Sequence, residues 1–358
     1  MRAVNQSIPN VRHVGIGGPL MQREGLKSLF PFDRFAVMGF VEVVKHLAFF
    51  LKVEKHIHRY FKIDKPDLFI PVDYPGLNLR ISRIADDERI PVLYFICPQF
   101  WAWKHKRVFD LKENVRHVAA ILPFEKDLLD SHNVTSSYVG HPITEEIRLE
   151  LDRESFARFF GLDPSKEWIG FMPGSRNAEI HRMLPVFLES AKLMDQERYQ
   201  FLFSKSRAVK HGDYMSIIEA HPGVKVHIVD GYNYEMMKYC SYLVGCSGTV
   251  TLEAAYIGTP MVICYRANEI SYRIAKRFVR IEHIGLPNII LEDSALPELI
   301  QENANPRRIA AEVSRMQDDP QYMNEIRAKL LKLRGMLEGR RPSVEMTKII
   351  RQLLKLDE

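Results

Sequence analysis

Long apolar runs are missing from this chain. No window approaches the roughly 18 apolar residues that a bilayer-spanning helix needs, so a helical membrane-spanning protein is excluded. The opening Met1-Arg2-Ala3-Val4-Asn5-Gln6 has no apolar core, so no secretory signal is expected. Cysteine is scarce: Cys97, Cys240, Cys246 and Cys264 form no C-x-x-C pair, and three lie in or beside strand-like runs. Such thiols read as reduced and buried in a cytosolic protein, not as a disulfide framework or a zinc site. An excess of one charge is also lacking. Fifty Lys and Arg against 45 Asp and Glu leave +5. That suits anionic small molecules or an anionic surface better than nucleic acid. Internal repeats and low-complexity segments are absent.

What is present is ordinary globular material: 46% hydrophobic and 27% charged residues over 358 positions, long for one domain and comfortable for two. Strand-like runs occur at 11–16, 68–72, 92–97, 117–121, 137–139, 168–172, 199–204, 224–228, 242–245 and 260–265. Stretches of helical period lie between most of them, for example Leu184, Phe187, Leu188 and Ala191. The alternation predicts an α/β protein with parallel sheets and crossover helices. The polar stretch 145–163 separates two such series, giving domains at 1–150 and 160–338. The segment 339–358, with a helix after Gly339-Arg340-Arg341-Pro342, is expected to return to the N-terminal domain.

Four loops carry chemistry. In Leu68-Phe69-Ile70-Pro71-Val72-Asp73-Tyr74-Pro75-Gly76 an apolar run stops at a carboxylate and turns, which puts Asp73 at a strand end, where open α/β sheets bind ligands. A turn or helix-capping aspartate would look the same. Pro71 removes one ladder donor and belongs where the strand ends. The run Pro98-Gln99-Phe100-Trp101-Ala102-Trp103-Lys104 sets two indoles beside a basic stretch through Arg107, suited to a phosphorylated, partly apolar molecule. In the second half, Met172-Pro173-Gly174-Ser175-Arg176 and Cys246-Ser247-Gly248-Thr249 each run from a strand through a turn into a helix. Such turns expose N–H groups to an anion, and Arg176 adds a bidentate donor for a phosphate. Glu253, one turn into the second helix, is placed to accept from a ribose diol. Either loop alone is more often a structural junction; their convergence on one sheet edge is the stronger signal.

With these residues in hand, the chain resembles the lipid-A-disaccharide synthases. The resemblance runs in order from Ala36-Val37-Met38-Gly39-Phe40-Val41-Glu42-Val43 through Val72-Asp73-Tyr74-Pro75-Gly76-Leu77-Asn78 and the stretch 98–108. It continues at Leu122-Pro123-Phe124-Glu125-Lys126, Val139-Gly140-His141-Pro142, 173–180 and 247–253, and closes with Tyr265-Arg266 and Leu286-Pro287-Asn288. It implies two Rossmann-like domains facing each other across a cleft, the GT-B glycosyltransferase type. The implied reaction joins UDP-2,3-diacylglucosamine to 2,3-diacylglucosamine 1-phosphate (lipid X), giving the β-1,6-linked disaccharide 1-phosphate of lipid A and UDP. Asp73 is then the expected base and Arg176 the expected stabiliser of the leaving UDP. Gly174, Ser175, Ser247, Gly248, Thr249, Glu253, Arg266 and Asn288 would bind the donor, with Gln99, Trp101, Trp103 and Lys104 on the acceptor side. No cofactor is implied, and no D-x-D pair offers a metal site.

Expected partners are the two acylated sugars and the inner-membrane surface, with a homodimer open and nucleic acid set aside. A peripheral position on the cytoplasmic face follows from the acyl chains. A helix through Phe40, Val43, Val44, Leu47, Phe50 and Leu51 would turn that stripe to the core and leave Phe49 and Val53, among Lys45, Lys52 and His56, facing the membrane. The chain departs from the family at its start, where members carry a strand and a Gly-Glu-Ala-Ser-Gly-Asp loop. The chain is therefore expected to be N-terminally truncated, lacking a central strand and part of the acceptor site. Two other readings stand beside the transferase. One is a UDP-sugar epimerase of the same fold, separable by feeding UDP-GlcNAc alone. The other is a non-catalytic lipid- or nucleotide-binding relic, separable by inspecting the upstream reading frame.

Overall fold

The computed structural model describes residues 1–35, 47–206, 209–268, 272 and 282–356. The chain divides into two units: Met1–Thr144 with Gly339–Glu358, and Glu145–Glu338. Both are α/β with parallel strands, in agreement with two Rossmann-like domains.

In the first unit β1 (Val14–Gly15) pairs with β2 (Lys27–Ser28), and β3 (Leu93–Phe95), β4 (His117–Ala120) and β5 (Ser136–Tyr138) form a second sheet in that order. The run expected as a strand at 68–72 reaches β3 only through two bridges, Phe69 to Val92 and Val72 to Phe95. Proline explains the interruption. Phe69 donates to Pro91 O, and Leu93 donates back to Phe69 O; Phe95 then donates to Pro71 O, and Asp73 to Phe95 O. Pro71 has no N–H for the step between. The C-terminal segment belongs to this unit. Arg340 Nη1 donates to Tyr138 O (3.0 Å) and Arg351 Nη1 to Ser7 O (3.1 Å). At Gly140 (φ +90) a Cβ would stand 3.0 Å from the Arg340 backbone, so only glycine lets the two segments meet.

The expected membrane face is corrected by the helix Leu47–Ile63. Phe49 and Val53 are buried, in line with Ile57 and Phe61, while Leu47 (49% exposed) and Leu51 (40%) point outward. Phe49, Val53, Ile57 and Phe61 follow each other four residues apart, which is one face of a helix. The expectation took its phase from Phe40, Val43 and Val44, which with Lys45 lie outside the described residues. Lys52 is exposed, as are Lys55, His56 and Arg59.

The second unit holds one six-stranded sheet built from β6 (Glu167–Met172), β7 (Tyr199–Lys205), β8 (Val226–Asp230), β9 (Tyr242–Cys246), β10 (Met261–Tyr265) and β11 (Glu298–Ile300). Their order is β11-β10-β9-β6-β7-β8, all parallel. Strands covered on both faces read as continuous apolar runs, and β6 is buried from Trp168 to Met172. Phe171 stacks on Phe203 across the sheet (centroids 4.6 Å, 12° between planes). The helix Asn177–Lys192 covers it with Ile180, Leu184, Phe187 and Ala191. The stretch read as a polar separator contains the helix Arg153–Phe160, capped by Asp152 accepting from Ser155 N (2.8 Å). Phe156 on it is fully buried against Trp168, so this helix is part of the unit's core.

Candidate active site

The chain leaves β6 toward β7 and β8 on one side, then returns to place β9 on the other. The strand order therefore reverses between β6 and β9. Loops after such a pair diverge and open a crevice at the strand C-termini, the usual ligand position of an open α/β sheet. The loop after β6 carries Gly174-Ser175-Arg176, and the loop after β9 carries Ser247-Gly248-Thr249.

These loops are not uniformly open. Glu179 Oε2 accepts from Ser175 N (3.0 Å) and Arg176 N (3.3 Å), while Oε1 accepts from Arg176 Nη1 (2.6 Å). A carboxylate of the chain itself thus sits on the donors expected to face a phosphate. Gly174 (φ +115) allows this, because a Cβ there would lie 2.7 Å from Glu179 Oε2. Ser247 is corrected as a free donor: its N–H is bonded to Cys264 O (3.1 Å) and its hydroxyl to Ile284 O (2.7 Å). Thr249 and Gly248 are exposed at the start of the helix Thr249–Ile257, where no side chain caps the first amides. Glu253 on that helix accepts from Tyr234 Oη (3.3 Å). Burial, then the charge of Glu146, raise its pKa, while the Tyr234 bond lowers it.

Arg266 Nε donates to Gln301 O (3.2 Å), and its own carbonyl accepts from Arg182 Nη1 (2.9 Å). Asn288 is the second correction. It is fully buried, with Nδ2 donating to Leu296 O and Glu298 Oε1 and Oδ1 accepting from Leu296 N, all at 2.8 Å. An amide so committed shapes a loop rather than touching a ligand. Glu298 completes that lock by accepting from Ile284 N and Gly285 N, both 2.9 Å.

In the first unit Asp73 stands where the interrupted ladder ends. Asp73 (φ +45) and Tyr74 (φ +48) are consecutive left-handed residues, and Ile96 (φ +63) and Lys104 (φ +53) are strained on the neighbouring loop. Non-glycine residues avoid this region, a β-branched one most of all, and such strain collects at functional sites. Two donors hold the Asp73 carbonyl: Asn78 Nδ2 (2.7 Å) and Tyr94 Oη (2.8 Å). The Asp73 side chain reaches solvent, yet surrounding protein desolvates it enough to raise its pKa. The Tyr74 amide and the Arg107 charge oppose that rise.

Trp103 is exposed, with Lys104 Nζ 4.5 Å and Arg107 Cζ 5.1 Å from its ring centroid. Gln99 is exposed as well. Trp101 turns inward: its Nε1 donates to Glu125 Oε1 (3.2 Å), and its ring meets Phe124 edge-on at 5.1 Å. Sequence reasoning names Arg107 only as the end of the basic stretch, and it misses Tyr94 and Glu125 as site residues. Arg107 had a signal, since it follows the basic turn and opens the helix Arg107–Asn114. The other two act through contacts between elements distant in sequence.

A family model for lipid-A-disaccharide synthetase matches residues 1–350. The chain belongs to the lipid-A-disaccharide synthase family. It is 39% identical over 345 residues to the lipid-A-disaccharide synthase of Trichlorobacter lovleyi, covering 95% of this chain and 89% of that one. To the Geobacter sulfurreducens synthase it is 38% identical, covering 90% and 84%. Among solved structures, S. aureus MnaA with UDP superposes with a TM-score of 0.61 at 10% identity over 97% of this chain and 98% of that one. Acinetobacter baumannii MurG gives 0.57 at 12%, over 98% and 94%. At such identities these likenesses show the fold alone, the GT-B type. As a lipid-A-disaccharide synthase family member the chain is a glycosyltransferase forming a lipid A disaccharide. No helix of the described residues is long and apolar enough to cross a membrane.

Proposed function

We propose that this glycosyltransferase moves the sugar of UDP-2,3-diacylglucosamine onto the 6-hydroxyl of 2,3-diacylglucosamine 1-phosphate with inversion. The acceptor oxygen attacks the anomeric carbon, the bond from that carbon to the diphosphate breaks, and UDP leaves. Asp73 takes the hydroxyl proton. The observation that carries this role is the strained Asp73-Tyr74 turn, with a carboxylate at a sheet's C-terminal edge whose pKa burial has raised. A raised pKa makes a carboxylate a better proton acceptor, provided the pH keeps it ionised. UDP is assigned to the second unit, its diphosphate at Arg176 and the Gly248–Thr249 turn and its ribose at Glu253. Arg176 then exchanges Glu179 for the diphosphate, and a preorganised cation stabilises the charge that builds on the leaving group.

The acyl chains suggest work at a membrane surface, on the cytoplasmic face of the inner membrane. The outward side of the helix Leu47–Ile63 supports this, with Leu47 and Leu51 beside Lys52, Lys55 and Arg59. Apolar tips with basic flanks suit an anionic interface.

Asp73→Asn tests the base. It should leave UDP affinity and melting temperature unchanged and lower turnover about 10²-fold or more, the range for losing a general base. Near-normal turnover would remove Asp73 from that role.

A further inference from the structure

Glu125 is 1% exposed, one of the most buried carboxyl groups in the described chain, and three donors converge on it. Oε2 accepts from Ile121 N (3.3 Å) and Leu122 N (3.2 Å), at the start of the helix Pro123–Ser131. Those two bonds are an ordinary helix cap. The third is not: Oε1 accepts from Trp101 Nε1 at 3.2 Å, across 24 residues, from the loop that follows β3. That loop carries Trp103, Lys104 and Arg107, and the Arg107 charge acts on Asp73. Its backbone is strained at Ile96 and Lys104, so its shape needs an outside tether.

We propose that Glu125 is a positioning residue for the transfer reaction, a buried latch that holds Trp101 and with it the basic acceptor-side turn. The inference rests on the acceptor-side reading given above. The ionised carboxylate has acceptors for all three donors. Protonation spends one acceptor position on a donor, and a proton on Oε1 facing the Trp101 N–H sets donor against donor and weakens that bond. A carboxyl cut off from solvent is easily protonated, and burial pushes Glu125 up to about 7 against the pull of its three donors. The titratable groups acting with it from packed elements are Cys97 after β3 and Tyr138 on β5, both held protonated by burial. Arg340 lies over the Tyr138 ring at 5.6 Å, and Lys126 on the same helix turns to Asp130. The latch therefore holds most firmly above neutrality and loosens below it.

Two measurements on the full chain test this. In protein with labelled tryptophan, the Trp101 indole N–H resonance is identified by its loss in W101F. It should shift with a midpoint near pH 7 and cease to titrate in E125Q. Kinetics at pH 8 should show W101F, which keeps an aromatic ring and loses the donor, raising the acceptor KM about tenfold, the worth of one hydrogen bond. The UDP-sugar KM should stay unchanged. A resonance that does not titrate, or one that titrates identically in E125Q, overturns the latch. So does a W101F enzyme with lowered melting temperature and normal acceptor KM, since that is structural loss alone. If wild-type protein fails to join the two acylated sugars, the functional reading falls while the resonance still decides the latch.

Discussion

Asn288→Ala separates a shaping role from a ligand-binding one. The substitution removes three hydrogen bonds of 2.8 Å and strands the N–H and C=O of Leu296, a residue only 1% exposed. Each buried backbone group left without a partner costs about 1–3 kcal/mol, so the pair predicts a loss of about 2–6 kcal/mol. For a unit of this size, about 2–4 °C is lost per kcal/mol, which gives a drop of about 4–24 °C. Asn288→Asp should be at least as harmful. One oxygen still accepts from Leu296 N, but the other would face the Leu296 carbonyl and the Glu298 carboxylate where a donor now sits. Thermal melting followed by UDP calorimetry well below the transition reads both quantities. The expected result is a lower melting temperature with UDP affinity within about twofold of wild type, a difference under about 0.5 kcal/mol. Unchanged melting with UDP binding weakened tenfold or more would show that the amide is not locked as described, and that it meets the nucleotide.

Arg176→Ala and Glu253→Ala should each weaken UDP binding by about 2–5 kcal/mol in calorimetry, through the phosphates and the ribose respectively; unchanged affinity for both would move the nucleotide elsewhere. Leu51→Glu should reduce sedimentation with anionic vesicles while leaving melting unchanged. Val53→Ser should lower the melting temperature and leave vesicle binding of the folded protein intact, because Val53 is fully buried. Reversed outcomes would restore the face expected from sequence. His141 is buried neutral, its pKa lowered from 6.5 to about 4 by burial. The unfolded chain then takes up a proton that the folded one refuses. Stability should fall as pH drops from about 6.5 to 4, by roughly 3 kcal/mol in full, and His141→Gln should flatten that slope in denaturant titrations.

Much of the second unit was legible because its strands are apolar throughout and stop at glycine turns. Trp168 through Met172 and Tyr242 through Cys246 are continuous buried runs, and the loops they feed are the ones the topology brings to one edge. Legibility failed where a residue's role depends on a partner far along the chain. Asn288 looks like a polar loop residue until Leu296 and Glu298 stand against it. Ser247 looks like a free hydroxyl until Ile284 O accepts from it. In the first unit the run at 68–72 has strand composition, yet Pro71 reduces it to two bridges. The error at Phe49 and Val53 was one of phase. A stripe judged over two turns can be rotated by one residue, and only Ile57 and Phe61 fix it.

The division of the chain sets an order of manufacture. Residues Glu145–Glu338 form an uninterrupted unit, whereas the other unit needs both Met1–Thr144 and Gly339–Glu358. Domains usually fold as they emerge from the ribosome, the N-terminal one first. Here the first unit to be synthesised is the last to be finished, since Arg340 and Arg351 must arrive before Tyr138 and Ser7 gain their partners. A nascent chain halted near residue 338 would carry a complete second unit beside a first one still lacking its closing helix.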